Sequence, residues 1–208
     1  MDLISASKTL DFHKIYEIGN AFKRGVLHFD PVTEIESPEK LLRGELRPHT
    51  PISFRRESGS KPQDLMGTTY VAILLVSEQF ITTLLEEKIT GWSTYPVRLH
   101  VTEGTKELSS YSGLSVTGRA GPIDQSKSRI ELLPPPVPGG RAMYAEIGMY
   151  FPPDSWDRRD MFIPDGTLSI CVTERVKQAV EKRRLSNISF TPLSDRQGEI
   201  YFELPSGK

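Results

Sequence analysis

Residues 70–76, Tyr70-Val71-Ala72-Ile73-Leu74-Leu75-Val76, form the longest uninterrupted apolar run of the chain, and what surrounds them restricts the fold more than any bulk property does. A run of this length and composition reads as a strand buried on both faces. Ser77 stands where a helix N-cap is needed, and Glu78 occupies the first turn, where the helix dipole favours an acid. Phe80, Ile81, Leu84 and Leu85 recur at helical spacing, Gly91 supplies a left-handed exit, and residues 92–101 read as a second strand. This is a β-α-β unit. The same grammar returns 96 residues later without a gap. Val172-Thr173-Glu174 repeats Val76-Ser77-Glu78, Val176 and Val180 stand for Phe80 and Leu84, and Asn187 replaces Gly91 as the other residue type that tolerates positive φ. Duplication accounts for this, and so does chance agreement of two ordinary strand-cap-helix-turn segments. Either way the expected fold class is α+β, with two β-α-β units at about 70–101 and 168–193 framing a mixed sheet.

The rest of the chain is punctuated differently. Residues 1–67 are rich in turn formers, among them Asp30-Pro31, Ser37-Pro38, Arg47-Pro48 and Thr50-Pro51, and read as a strand- and loop-rich N-terminal region with one helical turn near 38–42. Residues 68–208 then form the main domain, unless one continuous domain takes in both. Between the two units lies a loop-rich insertion. In it, 114–117 is a short strand, 118–124 a glycine-bracketed turn, 130–133 a second strand, and 133–140 a polyproline-like connection. Residues 143–151 read as a strand, 152–160 as a charged loop, and 199–204 as an edge strand.

Composition narrows the function classes. With 26 Lys and Arg against 27 Asp and Glu, the net charge is -1, so no global field recruits nucleic acid or an anionic membrane. The first eight residues lack the basic and apolar regions of a secretory signal, and no apolar run approaches the roughly 20 residues that cross a bilayer as a helix. Cys171 is the one cysteine, which suits a reducing compartment. The expectation is a cytoplasmic protein without a membrane span.

Catalytic motifs are missing. His13, His28, His49 and His100 are scattered without metal-site spacing, and Cys171, inside an apolar run, reads as a buried hydrophobe. In Gly113-Leu114-Ser115-Val116-Thr117-Gly118 the second glycine comes one position too late for a nucleophile elbow, and Gly118 and Gly121 open no phosphate-binding helix. No cofactor and no metal are expected. Asp154, Asp157 and Asp160 lie close together, but Arg158 and Arg159 sit among them, as in a solvated, self-neutralising loop. Arg119 and Asp124 read as a recognition pair or as an ion pair that merely fixes its turn. Trp92 reads as packing, whereas Trp156, a large ring in a polar loop, reads equally as a lid or an interface anchor.

Three segments together resemble a known pattern: Val76-Ser77-Glu78 with its helix and Gly91-Trp92-Ser93-Thr94-Tyr95-Pro96-Val97; Gly118-Arg119-Ala120-Gly121-Pro122-Ile123-Asp124 with Ser126 and Ser128; and residues 156–162 running into Val172-Thr173-Glu174. This order is similar to that of a bacterial family of uncharacterised immunity proteins of polymorphic toxin systems, encoded beside secreted toxins. The likeness covers about residues 64–195, with 1–63 matching only loosely. It implies an antitoxin-like cytoplasmic protein that neutralises a cognate toxin by binding it, with no catalytic residue to carry over. The leading expectation is therefore a non-catalytic protein-binding module whose partner surface includes Arg119, Asp124, Trp156, Arg158 and Arg159. A hydrolase-like enzyme using Asp124 or the 154–160 acids, and a ligand-binding or structural subunit, are the alternatives. Elemental analysis of the purified protein should find no stoichiometric metal; about one zinc or calcium per chain would overturn this reading.

Overall fold

The computed structural model describes residues 10–102, 106–135 and 137–203. The N-terminal octapeptide, Pro136 of the polyproline-like segment and Leu204 of the expected edge strand lie outside them.

Ser77 caps the first long helix as expected, its hydroxyl accepting from the Phe80 amide at 3.1 Å. The elements preceding this cap are β1 (Ile15–Asn20), β2 (His28–Pro31), the short helix α1 (Pro38–Leu42), β3 (Ile52–Ser58), β4 (Leu65–Gly67) and β5 (Leu74–Ser77). Helix α2 (Glu78–Glu86) leads to β6 (Trp92–Thr102), β7 (Lys106–Leu108), β8 (Tyr111–Val116), β9 (Gly118–Pro122), β10 (Arg129–Leu133), β11 (Met143–Ile147) and β12 (Met161–Asp165). The chain closes with β13 (Cys171–Thr173), α3 (Glu174–Lys182), β14 (Ile188–Pro192) and β15 (Gln197–Tyr201). It is an α+β protein built mostly of strands. One sheet runs β14-β1-β13-β12-β9, a second β10-β11-β15, and a third β2-β3-β6-β8-β5-β4 with β7 on β6.

Several local expectations need correction. The two strands of each expected β-α-β unit are not neighbours. Strand β8 lies between β5 and β6, and β1 between β13 and β14, antiparallel to both flanking strands in each case. Residues from the N-terminal 67 thus sit inside the sheet of the C-terminal unit. The apolar run 70–76 is a strand only from Leu74, because the Thr68 hydroxyl bonds the Tyr70 and Ile73 carbonyls and the Ile73 amide returns to Tyr70, closing a turn. Residues 118–122 are a strand parallel to β12, and their glycines are there for close approach. A Cβ on Gly118 would stand 2.2 Å from the Met161 carbonyl oxygen. The strand expected over 143–151 stops at Ile147, where Gly148 takes φ +99°. Leu85, expected on the apolar face of α2, is 63% exposed.

The recurrence seen along the chain also holds at the level of pairing. The register Leu75↔Gly113, Val76↔Ser112, Ser77↔Tyr111 becomes Cys171↔Glu17, Val172↔Tyr16, Thr173↔Ile15 when each position moves by the same 96 residues to its counterpart in the other half. The pairs Trp92↔Val116 to Pro96↔Ser112 likewise become Ile188↔Asn20 to Pro192↔Tyr16, and Leu65↔Val76 becomes Met161↔Val172. Lys88 and Arg184, two residues beyond the two helices, both adopt positive φ, as do Gly91 and Asn187. Each half therefore lends its first strand to the other, β1 entering the second half and β8 the first.

Side chains close this exchange. Asp64 Oδ1 accepts from its own half's cap, Ser77 Oγ, at 2.6 Å, and Oδ2 accepts from the amide and hydroxyl of Ser186 beyond the other half's helix. Asp160 mirrors it: Oδ1 accepts from Thr173 Oγ1 at 3.1 Å, Oδ2 from the Thr90 amide at 3.0 Å and hydroxyl at 2.9 Å. Thr173 makes no side-chain cap for α3, unlike Ser77 for α2. Arg175 Nη1 donates to both Asp160 oxygens, at 3.0 and 3.1 Å. At the far ends of the helices Glu86 pairs with Arg183 and Glu87 with Lys182, a two-fold-related couple. Beneath lies one core cluster to which both halves contribute, with Val76, Phe80, Leu84 and Leu114 meeting Ile18, Val172, Val176 and Val180. Each such buried aliphatic or aromatic side chain contributes about 1.5–3 kcal/mol.

Asp160 is only 5% exposed, and removing its carboxylate strands an amide and two hydroxyls in a desolvated setting. Asp160→Ala should lower stability by about 3 kcal/mol in chemical denaturation. A loss below about 0.5 kcal/mol, the range of ordinary surface substitutions, would show that the brace is incidental.

Candidate functional site

The residues singled out in sequence cluster where β9 meets the 153–160 loop. Arg119 on β9 turns its guanidinium inward, donating to the Val116 and Gly118 carbonyls at 2.7 and 2.8 Å and to the Arg43 carbonyl at 2.6 Å. Partial burial pulls its pKa down, Arg43 nearby adding to this, while Glu45, 3.7 Å away, opposes it. Its backbone amide donates to Asp157 Oδ2, whose other oxygen accepts from the Arg159 amide. Asp124 lies apart from this group: it caps the 3-10 turn Gln125–Lys127, bonding Ser126 and pairing with Lys127, and those hydrogen bonds hold its pKa low. Arg119 pairs with Glu45 and Asp124 with Lys127, each keeping to its own local partner.

Trp156 is half-buried. Its ring packs on Phe162, centroids 5.2 Å apart, and its indole nitrogen donates to the Arg159 carbonyl at 3.1 Å. Arg158, at φ +66°, lays its guanidinium 5.3 Å from the Trp156 ring centre. Arg159 reaches the Thr117 carbonyl at 2.9 Å. The three acids of the loop do not converge. Asp154 and Asp157 are exposed, Asp157 organising backbone, and Asp160 is the buried brace rather than part of a solvated loop. Indeed no group of three or more His, Cys, Asp or Glu among the described residues is arranged to hold a metal.

Two buried groups, Cys171 and Tyr95, are held neutral. Burial pushes the Cys171 thiol up, the Glu17 carboxylate adding to the shift, and burial likewise raises Tyr95, so neither offers an anionic nucleophile at neutral pH. No helix among the described residues is long and apolar enough to cross a membrane. What the sequence reading missed is an apolar surface at the N-terminal end of the fold, carrying Phe22 and Val71. Val71 was hidden inside a run read as a buried strand. The signal available for Phe22 was an aromatic followed by Lys23-Arg24-Gly25 in a turn-rich region.

Trp156→Ala should cost about 2 kcal/mol of stability, because it uncovers Phe162 and frees the Arg159 carbonyl, whereas Arg158→Ala should change stability by less than about 0.5 kcal/mol. Paired denaturation curves test this, and equal losses for both would refute the packing role of Trp156.

A comparison with curated proteins returns no match. Residues 14–195, from the turn preceding β1 to the one preceding β15, match the model of an immunity protein family. Since that span takes in most of the chain and both exchanged strands, the protein belongs to the Imm11 immunity protein family.

Proposed function

We propose that this protein is a cytoplasmic immunity protein that neutralises a cognate toxin by direct, non-catalytic binding. The observation that carries this reading is the family match over residues 14–195. The chemistry of the loops agrees with it. Where an enzyme needs titratable groups converging in a pocket, Asp160, Asp64 and Arg119 spend their polar atoms on backbone and caps of the same chain. What remains free to meet a partner is rigid surface. The Arg158 guanidinium stacked on Trp156, with Arg159 beside it, forms part of the contact, and Arg119 holds the strand behind them. Asp124 sits at the edge of this surface as the cap of its own turn. Held aromatic and arginine side chains of this kind lose little entropy on binding.

Co-expression with the product of the adjacent gene is the direct test. The expected outcome is restored growth of a host poisoned by that product, together with co-purification of the two chains. Rescue without a stable complex would point to enzymatic detoxification instead, and the absence of both rescue and complex would refute the immunity reading.

A further inference from the structure

The near two-fold relation between the halves makes one departure from it visible. In the second half the chain leaves β8 and runs directly into β9, where Gly118 pairs with Phe162 of β12. The counterparts of these residues in the first half are Phe22 and Met66. No strand pairing between them is found among the described residues. Instead the chain swings outward, with Phe22 at φ +49° and Gly25 at φ +80°. It meets the backbone of its own half again at Gly25, whose carbonyl accepts from the Ser60 and Lys61 amides, and at the bridges Val26↔Lys61 and Phe29↔Thr68. Beside β4, where the second half has its β9, the first half has a groove of about 450 Å³, lined by Asn20, Phe22, Gly67, Tyr70, Val71 and Asn187 among others.

Phe22 is 89% exposed and Val71 88%, and both also line an adjoining groove of about 690 Å³ together with Leu168, which is 46% exposed. A bulky L residue at positive φ is strained, and an exposed phenyl ring gains nothing from the core of its own chain. Phe22 carries both costs at once. Strain held at an exposed position and a contiguous apolar surface each indicate contact with something outside the chain. The surroundings say what kind. Lys23, Arg24 and Lys61 are exposed, and among the described residues none lies within 4.0 Å of a carboxylate, although nearby Arg55 is paired with Asp30 and His28 with Glu57. The apolar protrusion is therefore flanked by uncompensated positive charge.

We infer that Phe22, Val71 and Leu168, flanked by Lys23, Arg24 and Lys61, form the docking surface for an acidic protein partner, whose apolar pocket receives the Phe22 ring and whose carboxylates meet the cations. This inference rests on the immunity reading and assigns this surface to the toxin in addition to the Trp156–Arg158 patch. A single-stranded nucleic acid would need a platform of exposed stacking rings, whereas beside the exposed Phe22 the Tyr70 ring is half-buried and Val71 and Leu168 are aliphatic. A second copy of this chain would bring the same three cations to the contact from both sides.

Phe22→Asn tests it in the full-length chain, because Asn tolerates positive φ and the change removes the ring without adding strain. Binding to the product of the adjacent gene is measured by calorimetry, and the melting temperature is recorded alongside. The expected result is an unchanged or raised Tm with a Kd at least ten-fold weaker. Val71→Ser, in an exposed turn, should weaken binding in the same direction, and Lys23→Glu should slow association and flatten its salt dependence. If wild type binds and both apolar variants bind equally well, this surface is refuted and the immunity reading stands. If wild type neither binds nor neutralises, the immunity reading fails and this inference fails with it. If Phe22→Asn instead converts a dimer of this chain to monomer in light scattering, the occupant is a second copy and the inference is overturned.

Discussion

Two carboxylates, the half-buried Asp64 and the buried Asp160, join the halves of this protein. Asp64 and Asp160 each hold the hydroxyl that precedes a helix in their own half and, on the other oxygen, an amide and a hydroxyl from the turn that follows the other half's helix. Because a carboxylate accepts from several donors at once, one side chain sets the spacing of two strands, a helix start and a helix exit. The two braces are not equal. Asp160 has the Arg175 guanidinium on it, while the position corresponding to Arg175 in the other half is Gln79, and Asp64 relies on hydroxyls and amides.

The exchange of β1 and β8 follows from the same arrangement. A strand placed between two parallel strands joined through a helix fills the gap that the crossover leaves, and here it comes from the opposite half in both cases. The rigid centre is thus made of elements far apart in sequence. The periphery is free to differ: β9 fills one flank, and the outward turn at Phe22 leaves the other open. A frame braced internally on both sides can carry a strained, exposed aromatic, since the cost is met by packing elsewhere.

Much of the local structure was legible in the chain. Ser77 as a cap, Gly91 and Asn187 as left-handed exits, the single turn at 38–42, and the buried Cys171 all follow from short-range chemistry and appear as expected. The failures have a common form. Residues 70–73 looked like strand because every side chain is apolar, but the Thr68 hydroxyl competes for the backbone and makes a turn. Gly118 and Gly121 looked like turn glycines, whereas backbone and side-chain crowding is what requires them. Asp160 looked solvated because its neighbours in sequence are Arg158 and Arg159, yet its neighbours in space are Thr90, Thr173 and Arg175.

Of the candidate surface, the sequence revealed Trp156 with its flanking arginines but not which of them are committed elsewhere, and it did not reveal Phe22 at all. Caps, helix faces and left-handed exits depend on residues within about four positions of one another, so the order of amino acids was enough to determine them. The exchange of first strands, the pairing of each carboxylate with the opposite half, and the exposure of Phe22 depend on contacts across 16 to 176 positions. No periodicity encodes such contacts, and only the packed chain decides them.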